Sequence, residues 1–171
     1  MSPRTIAVIM LFAAVCLAAP FIGVDQAGGV TPAPVHYRAP VPGPIVDPFR
    51  PPPTPYAPGH RGVDYRTRPG QAVVAAAGGT VLFAGQVGGG LDVVVLHSDG
   101  IRTSYGGLAS ISVHRGQAVA AGQPVGTSTA SVHFGVRAGR AYLDPQVLLA
   151  DPPAAPAHAY LVADPDREPR Q

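Results

Sequence analysis

The chain has 171 residues, 46% of them hydrophobic and 13% charged, with a formal net charge of +2. That length supports one domain with a real core and not comfortably two. The positive charge is carried by arginine alone, since the sequence contains no lysine, and so dispersed a basic signal argues against a nucleic-acid partner.

The chain opens with MSPRTIAVIMLFAAVCLAAPFIGV, in which Arg4 precedes an apolar run from Ile6 to Val24. The pattern predicts a signal peptide or an N-terminal membrane anchor over residues 1–27, the one part of the chain expected to meet a membrane. Cys16, the single cysteine, lies inside this run, so a disulfide framework is excluded. Val15, a branched residue, precedes Cys16 where a lipoprotein signal calls for a small one. Residues 28–42 are rich in Gly, Pro, Ala and Val without helical period, which predicts an extended linker. Residues 151–171 repeat that composition and predict a disordered tail holding the only glutamate, Glu168.

Between these flanks, residues 43–150 consist of short valine-rich runs punctuated by GG, GGG, SDG and AG. Glycine supplies the positive φ that tight turns need, so these runs read as strands of a compact antiparallel sheet. No segment of the body carries a convincing helical period, and the predicted fold class is all-β. PGQAV at Pro69–Val73 and RGQAV at Arg115–Val119 form a half-repeat. Biotinyl and lipoyl carrier domains show similar half-repeats, but they need a lysine that this chain lacks.

Two stretches carry groups able to do chemistry. In GHRGVDY, His60 and Asp64 are potential metal ligands, yet on a flat strand they would stand roughly 13 Å apart. One ion holds its ligands at about 2 Å, so the chain would have to bend or bulge, and Gly62 is the expected place. In SVHFGVR, which alternates like a half-buried strand, His133 would arrive from a distant part of the chain as a third ligand. Two imidazoles and one carboxylate leave a zinc coordination position open, the arrangement of a hydrolytic site. Taken alone the H-x-x-x-D spacing is a weak signal.

The order GHRGVDY, PGQAVVAAAGGTVLFAG, GLDVVVLHSDGIRTSYGGL, VHRGQAVAAGQPVG, VHFGVR and YLDP resembles the lysostaphin-type, LytM-like zinc metallopeptidases that act on peptidoglycan cross-links. The resemblance runs from about Gly43 to Leu149. It implies the duplicated antiparallel β core of that family, with a groove and with zinc held by His60, Asp64 and His133. It also exposes a departure. The family's Y-x-H-L motif falls on Tyr105-Gly106-Gly107-Leu108, and its H-x-H motif on Ser131-Val132-His133. Gly107 and Ser131 therefore stand where active members carry catalytic histidines.

Glycine has no side chain to move a proton, and serine is a poor base near neutrality. General acid or base assistance is commonly worth about 10²–10⁴-fold, and an oxyanion donor about 10²–10³-fold. Ser131 and His97 are the weak catalytic candidates that remain, His97 because it resembles a histidine position common in the family. Tyr105 and Arg61 are candidate substrate contacts, and Arg137 is a second arginine able to meet stem-peptide carboxylates in the groove. His114 reads as a solvated turn residue, while His36 and His158 lie in the flanks. The expected function is an exported cell-envelope protein, zinc-retaining but catalytically impaired. It would bind peptidoglycan stem or cross-link peptides or regulate another envelope enzyme. The competing expectations are an active zinc metalloendopeptidase and a metal-free structural interaction module.

Overall fold

In a computed structural model of the chain, residues 34–54 and 57–150 are described. The predicted leader or anchor over 1–27 and the tail over 151–171 lie outside them. Among the described residues no helix is long and apolar enough to cross a membrane.

The body is one nine-stranded sheet in which every pairing is antiparallel. In chain order the strands are β1 (Ile45–Asp47), β2 (Gly62–Arg66), β3 (Ala72–Val74), β4 (Gly79–Val87) and β5 (Gly90–His97). They continue with β6 (Ile101–Ile111), β7 (Ala118–Val119), β8 (Pro124–Ala138) and β9 (Ala141–Leu143). The sheet order is β1-β2-β8-β6-β5-β4-β7, and β3 and β9 also pair with β8. β8 is thus the organising strand, meeting β2, β3, β6 and β9 along its 15 residues.

Period-2 alternation sets the faces. Val132, Phe134 and Val136 of β8, Val93 and Val95 of β5, and Tyr105 of β6 are buried in one core with Val63 and Tyr65 of β2. The intervening residues of β8, namely Ser131, His133, Gly135 and Arg137, point to the opposite face. Removing a ring such as Phe134, which is fully buried, costs about 3–5 kcal/mol in proteins generally.

The glycine half-repeat is structural. Gly70, Gly116 and Gly122 all take positive φ, at 82°, 85° and 81°. Each is followed by a glutamine whose Oε1 accepts a backbone N–H three residues earlier: Gln71 from Arg68, Gln117 from His114 and Gln123 from Ala120. The same turn therefore launches β3, β7 and β8.

Two expectations change. The segment assigned to a linker docks onto the domain before residue 43: Val41 is in the core, and backbone hydrogen bonds join Arg38 to Ala76 and Val74 to Pro40. A short helix, α1 (Pro145–Leu149), follows β9, capped by the Asp144 carboxylate accepting from the Gln146 N–H at 2.9 Å. Five residues are too few to show a period, which is why the sequence pattern missed it.

Candidate metal centre

Cross-strand partners in an antiparallel sheet project to the same face, so register alone brings the predicted ligands together. Asp64 of β2 lies opposite His133 of β8, and His133 lies opposite Gly106 of β6. His60 precedes β2 and is held by a bridge to Arg50. The bend falls at Arg61 rather than at Gly62, which sits in regular register with Gly135. The service of Gly62 is space, because a Cβ there would lie 2.7 Å from Cε1 and Nε2 of His133. The His133 ring lies over the strand where a side chain would have been.

Three ligand atoms converge. Nε2 of His60 is 3.1 Å from Oδ1 of Asp64 and 3.2 Å from Nδ1 of His133, and that Nδ1 is 2.8 Å from the same Oδ1. Nδ1 of His60 lies 2.8 Å from the Pro48 carbonyl oxygen, which makes it the protonated nitrogen and leaves the Nε2 lone pair facing the cluster. A second acceptor, Oδ2 of Asp47, stands 3.5 Å from that Nδ1. The hydrogen bond from Arg50 holds the Asp47 carboxyl below the usual carboxylate range, so it stays charged beside the imidazole.

These residues fit a zinc ion. Ligand atoms bound tetrahedrally at about 2.0–2.1 Å stand about 3.3 Å apart, close to the three separations found. The donor set is two imidazole nitrogens and one carboxylate oxygen, oriented by a carbonyl behind one of them. With lone pairs crowded this closely, one shared proton satisfies two of the three groups, whereas a divalent cation satisfies all three. The side chain of His133 is 39% exposed, so the fourth direction is open to a ligand.

Of the two positions expected to lack catalytic histidines, Gly107 is closed by backbone geometry, whereas Ser131 is exposed and carries a hydroxyl that is already used. Gly107 lies in a bulge of β6 against β5, where Gly106 and Gly107 together oppose Asp92, and its φ is +75°. A Cβ there would meet the Ser131 carbonyl oxygen at 2.8 Å. The Ser131 hydroxyl donates to the Tyr65 carbonyl at 3.2 Å and is committed to holding β2 against β8.

Tyr105 and His97, proposed as a substrate contact and a catalytic candidate, occupy the core face instead. Tyr105 is fully buried and His97 is 3% exposed. They belong to one directional network. The Ala76 N–H donates to the Tyr105 hydroxyl (2.7 Å), which pairs with the Thr103 hydroxyl (2.9 Å). Thr103 in turn meets Nε2 of His97 (2.8 Å), while Nδ1 of His97 donates to the Gly78 carbonyl (2.9 Å). Burial pushes the Tyr105 hydroxyl up to about 12 and holds the His97 imidazole below its ordinary value, so both remain neutral. Arg61 does sit beside the site face, with its guanidinium 5.6 Å from the centre of the Tyr142 ring.

One acidic group near the cluster escapes the sequence reading. Asp92 of β5 extends its carboxylate over Gly106, whose Cβ would lie 3.2 Å from Oδ1. Gly106 is the direct neighbour of His133. The Gly107 N–H hydrogen-bonds to Asp92, and partial burial raises the carboxyl above the ordinary carboxylate value. Gly107 thus holds an acid in place through its backbone. Asp92 interrupts an otherwise apolar run, LDVVVL, a signal that could have found it. Asp47 has no such signal, because its link to His60 depends on the β1–β2 pairing.

Residues 58–145, just over half the chain, match peptidase family M23. The chain belongs to this family. An uncharacterized protein of Mycobacterium tuberculosis is 40% identical over 129 residues, covering 62% of this chain and 51% of its own length. The murein hydrolase activator NlpD of Salmonella typhimurium is 34% identical over 87 residues, covering 46% of this chain and 23% of its own. A zinc-containing peptidase from Vibrio cholerae superposes with a TM-score of 0.57 at 25% identity, covering 68% of this chain and 40% of that one. This chain therefore spans about half the length of the mycobacterial relative or less of the others. The M23 assignment agrees with the antiparallel sheet, and the converging triad is a candidate metal centre on it.

Proposed function

We propose that this chain is an exported M23 domain that keeps a zinc-binding triad, hydrolyses amide bonds poorly, and works by binding peptidoglycan peptides and regulating a cell-wall hydrolase. The observation that carries this reading is the pairing of an intact triad with a bulge that leaves no room for a side chain at Gly107. Zinc bound by His60, Asp64 and His133 would supply Lewis acidity at its open position. The chain's own groups offer little to use it. Gly107 has no side chain, and Ser131 spends its hydroxyl on the Tyr65 carbonyl. His97 lies on the other face of the sheet.

What remains favours binding. The open face beside the triad is lined by Arg61, a group suited to peptide carboxylates. The Salmonella relative named as a murein hydrolase activator supports a regulatory role in the envelope. The opposing reading, an active metalloendopeptidase, is supported by Asp92, the carboxylate beside His133.

The test is purified protein assayed for metal content and for cleavage of cross-linked muropeptides. About one zinc per chain with little turnover, and stimulation of a partner hydrolase, is the expected result. Cleavage at rates typical of zinc peptidases that stops on chelation would establish the enzyme instead. Protein free of metal, and unchanged when zinc is added, would leave only a structural module.

A further inference from the structure

The site face holds a second feature two rows along from the metal cluster. Arg102 of β6 is directly opposite Arg137 of β8, and Arg137 is directly opposite Tyr142 of β9. Arg137 and His133 are four residues apart on β8, so they share a face and stand about 13 Å apart. The Arg137 guanidinium lies 5.1 Å from the centre of the Tyr142 ring, and Arg61 approaches the same ring at 5.6 Å. Two cations therefore flank one aromatic side chain, and a third, Arg102, stands on the neighbouring strand opposite Arg137.

Their arrangement is unfavourable as it stands. Like charges directly opposite each other on neighbouring strands repel, and among the described residues neither Arg102 nor Arg137 has an ion pair with a carboxylate. Nε of Arg137 is buried and has no hydrogen-bond partner. A buried donor left unmatched is costly, and a planar anion presented to the outer guanidinium nitrogens would relieve the repulsion between Arg102 and Arg137.

We propose that Arg137 and Arg61 at Tyr142, with Arg102 opposite Arg137, form a subsite for the carboxylate of a peptide lying across the candidate metal cluster. The proposal rests on the reading of this chain as a peptide-binding domain and adds to it the ligand's charge and length. Extended chain advances at most about 3.3–3.6 Å per residue, so the separation of roughly 13 Å corresponds to about four residues between the group above the triad and the carboxylate. Ser104, Gly135 and Gly62 form the row between the two sites, with the His133 ring lying over Gly62, so such a peptide crosses above that ring.

The test uses the full chain, zinc-loaded, titrated calorimetrically with an N-acetylated tetrapeptide ending in D-alanine, once as the free acid and once as the C-terminal carboxamide. The acid should bind at least about tenfold more tightly, as expected when charge-assisted hydrogen bonds are lost. Arg102→Gln, on an exposed side chain, and Arg137→Gln should each reduce the acid's affinity towards that of the amide. His60→Ala should weaken both peptides by a common factor and preserve the ratio between them. Equal binding of acid and amide overturns the subsite while leaving peptide binding intact. Binding of neither overturns both. Inorganic phosphate competing as well as the acid peptide would show a general anion site, which also overturns the proposal.

Discussion

Replacing Gly107 tests whether the sheet can accept a side chain at that position. Its φ of +75° alone costs a non-glycine residue about 1–2 kcal/mol. Its Cβ would also lie 2.8 Å from the Ser131 carbonyl oxygen, and carbon to oxygen contacts normally start near 3.3 Å. β6 and β8 must then part by about half an ångström, an overpacking strain typically worth 1–3 kcal/mol. Gly100 is the matched control, with φ of +82° and nothing within 4 Å of its Cβ position. Gly107→Ala should therefore be less stable than Gly100→Ala by about 1–3 kcal/mol, roughly 5–15 °C in melting temperature for a domain of this size. Gly107→His, which restores the family's residue type, should be destabilised at least as much and gain no cleavage of cross-linked muropeptides. Urea and thermal melts of chelator-treated protein measure the first comparison. Equal stability of the two alanine variants, or a stable Gly107→His that hydrolyses, would refute the reasoning.

Other consequences are open to measurement. Zinc at 100 times its Kd should raise stability by about 2.7 kcal/mol, roughly 10 °C in melting temperature. His60→Ala should melt alike with and without chelator, and a wild-type melt indifferent to zinc would contradict the triad. Asp92 has a folded pKa raised by burial, so its ionised form is disfavoured by folding and the cost applies at pH values above that pKa. Asp92→Asn should be more stable than wild type at pH 7, with the gap closing as the pH falls towards 3.8; an Asn variant less stable at pH 7 would show that the carboxylate has a favourable partner. His97 has a folded pKa below its ordinary 6.5, so the unfolded chain takes up the proton first and stability is lost as the pH falls below 6.5. Metal-free His97→Gln should show a flatter urea midpoint between pH 7 and 5 than metal-free wild type, and parallel curves would count against it.

Much of the fold is legible because its signals are local. Glycines at positive φ mark the turns, and the alternation in Val132, Phe134 and Val136 identifies the buried face of β8. The convergence of His60, Asp64 and His133 is legible through family resemblance, since spacing alone left two of them too far apart. What escaped depends on which strands lie side by side. Asp92 reaches the site only because β5 pairs with β6 at a bulge, and Asp47 only because β1 pairs with β2. Tyr105 and Thr103 share the parity that points away from the cluster, which becomes evident once Tyr105 is seen opposite Phe134. Val41 was hidden by the Pro and Gly around it, whose composition says nothing about docking.

The acidic row beside the triad runs across the strands: Asp47, Asp64, His133, then Asp92 over Gly106, with the Phe83 ring against Gly85 at the far end. Each of these positions is supplied by a different strand, or by a side chain leaning in from the next one. Exchanging one outward side chain along this row alters a single contact and leaves its neighbours supported by their own hydrogen-bond ladders. A scaffold of this kind can change its outward face one position at a time while the sheet beneath stays intact.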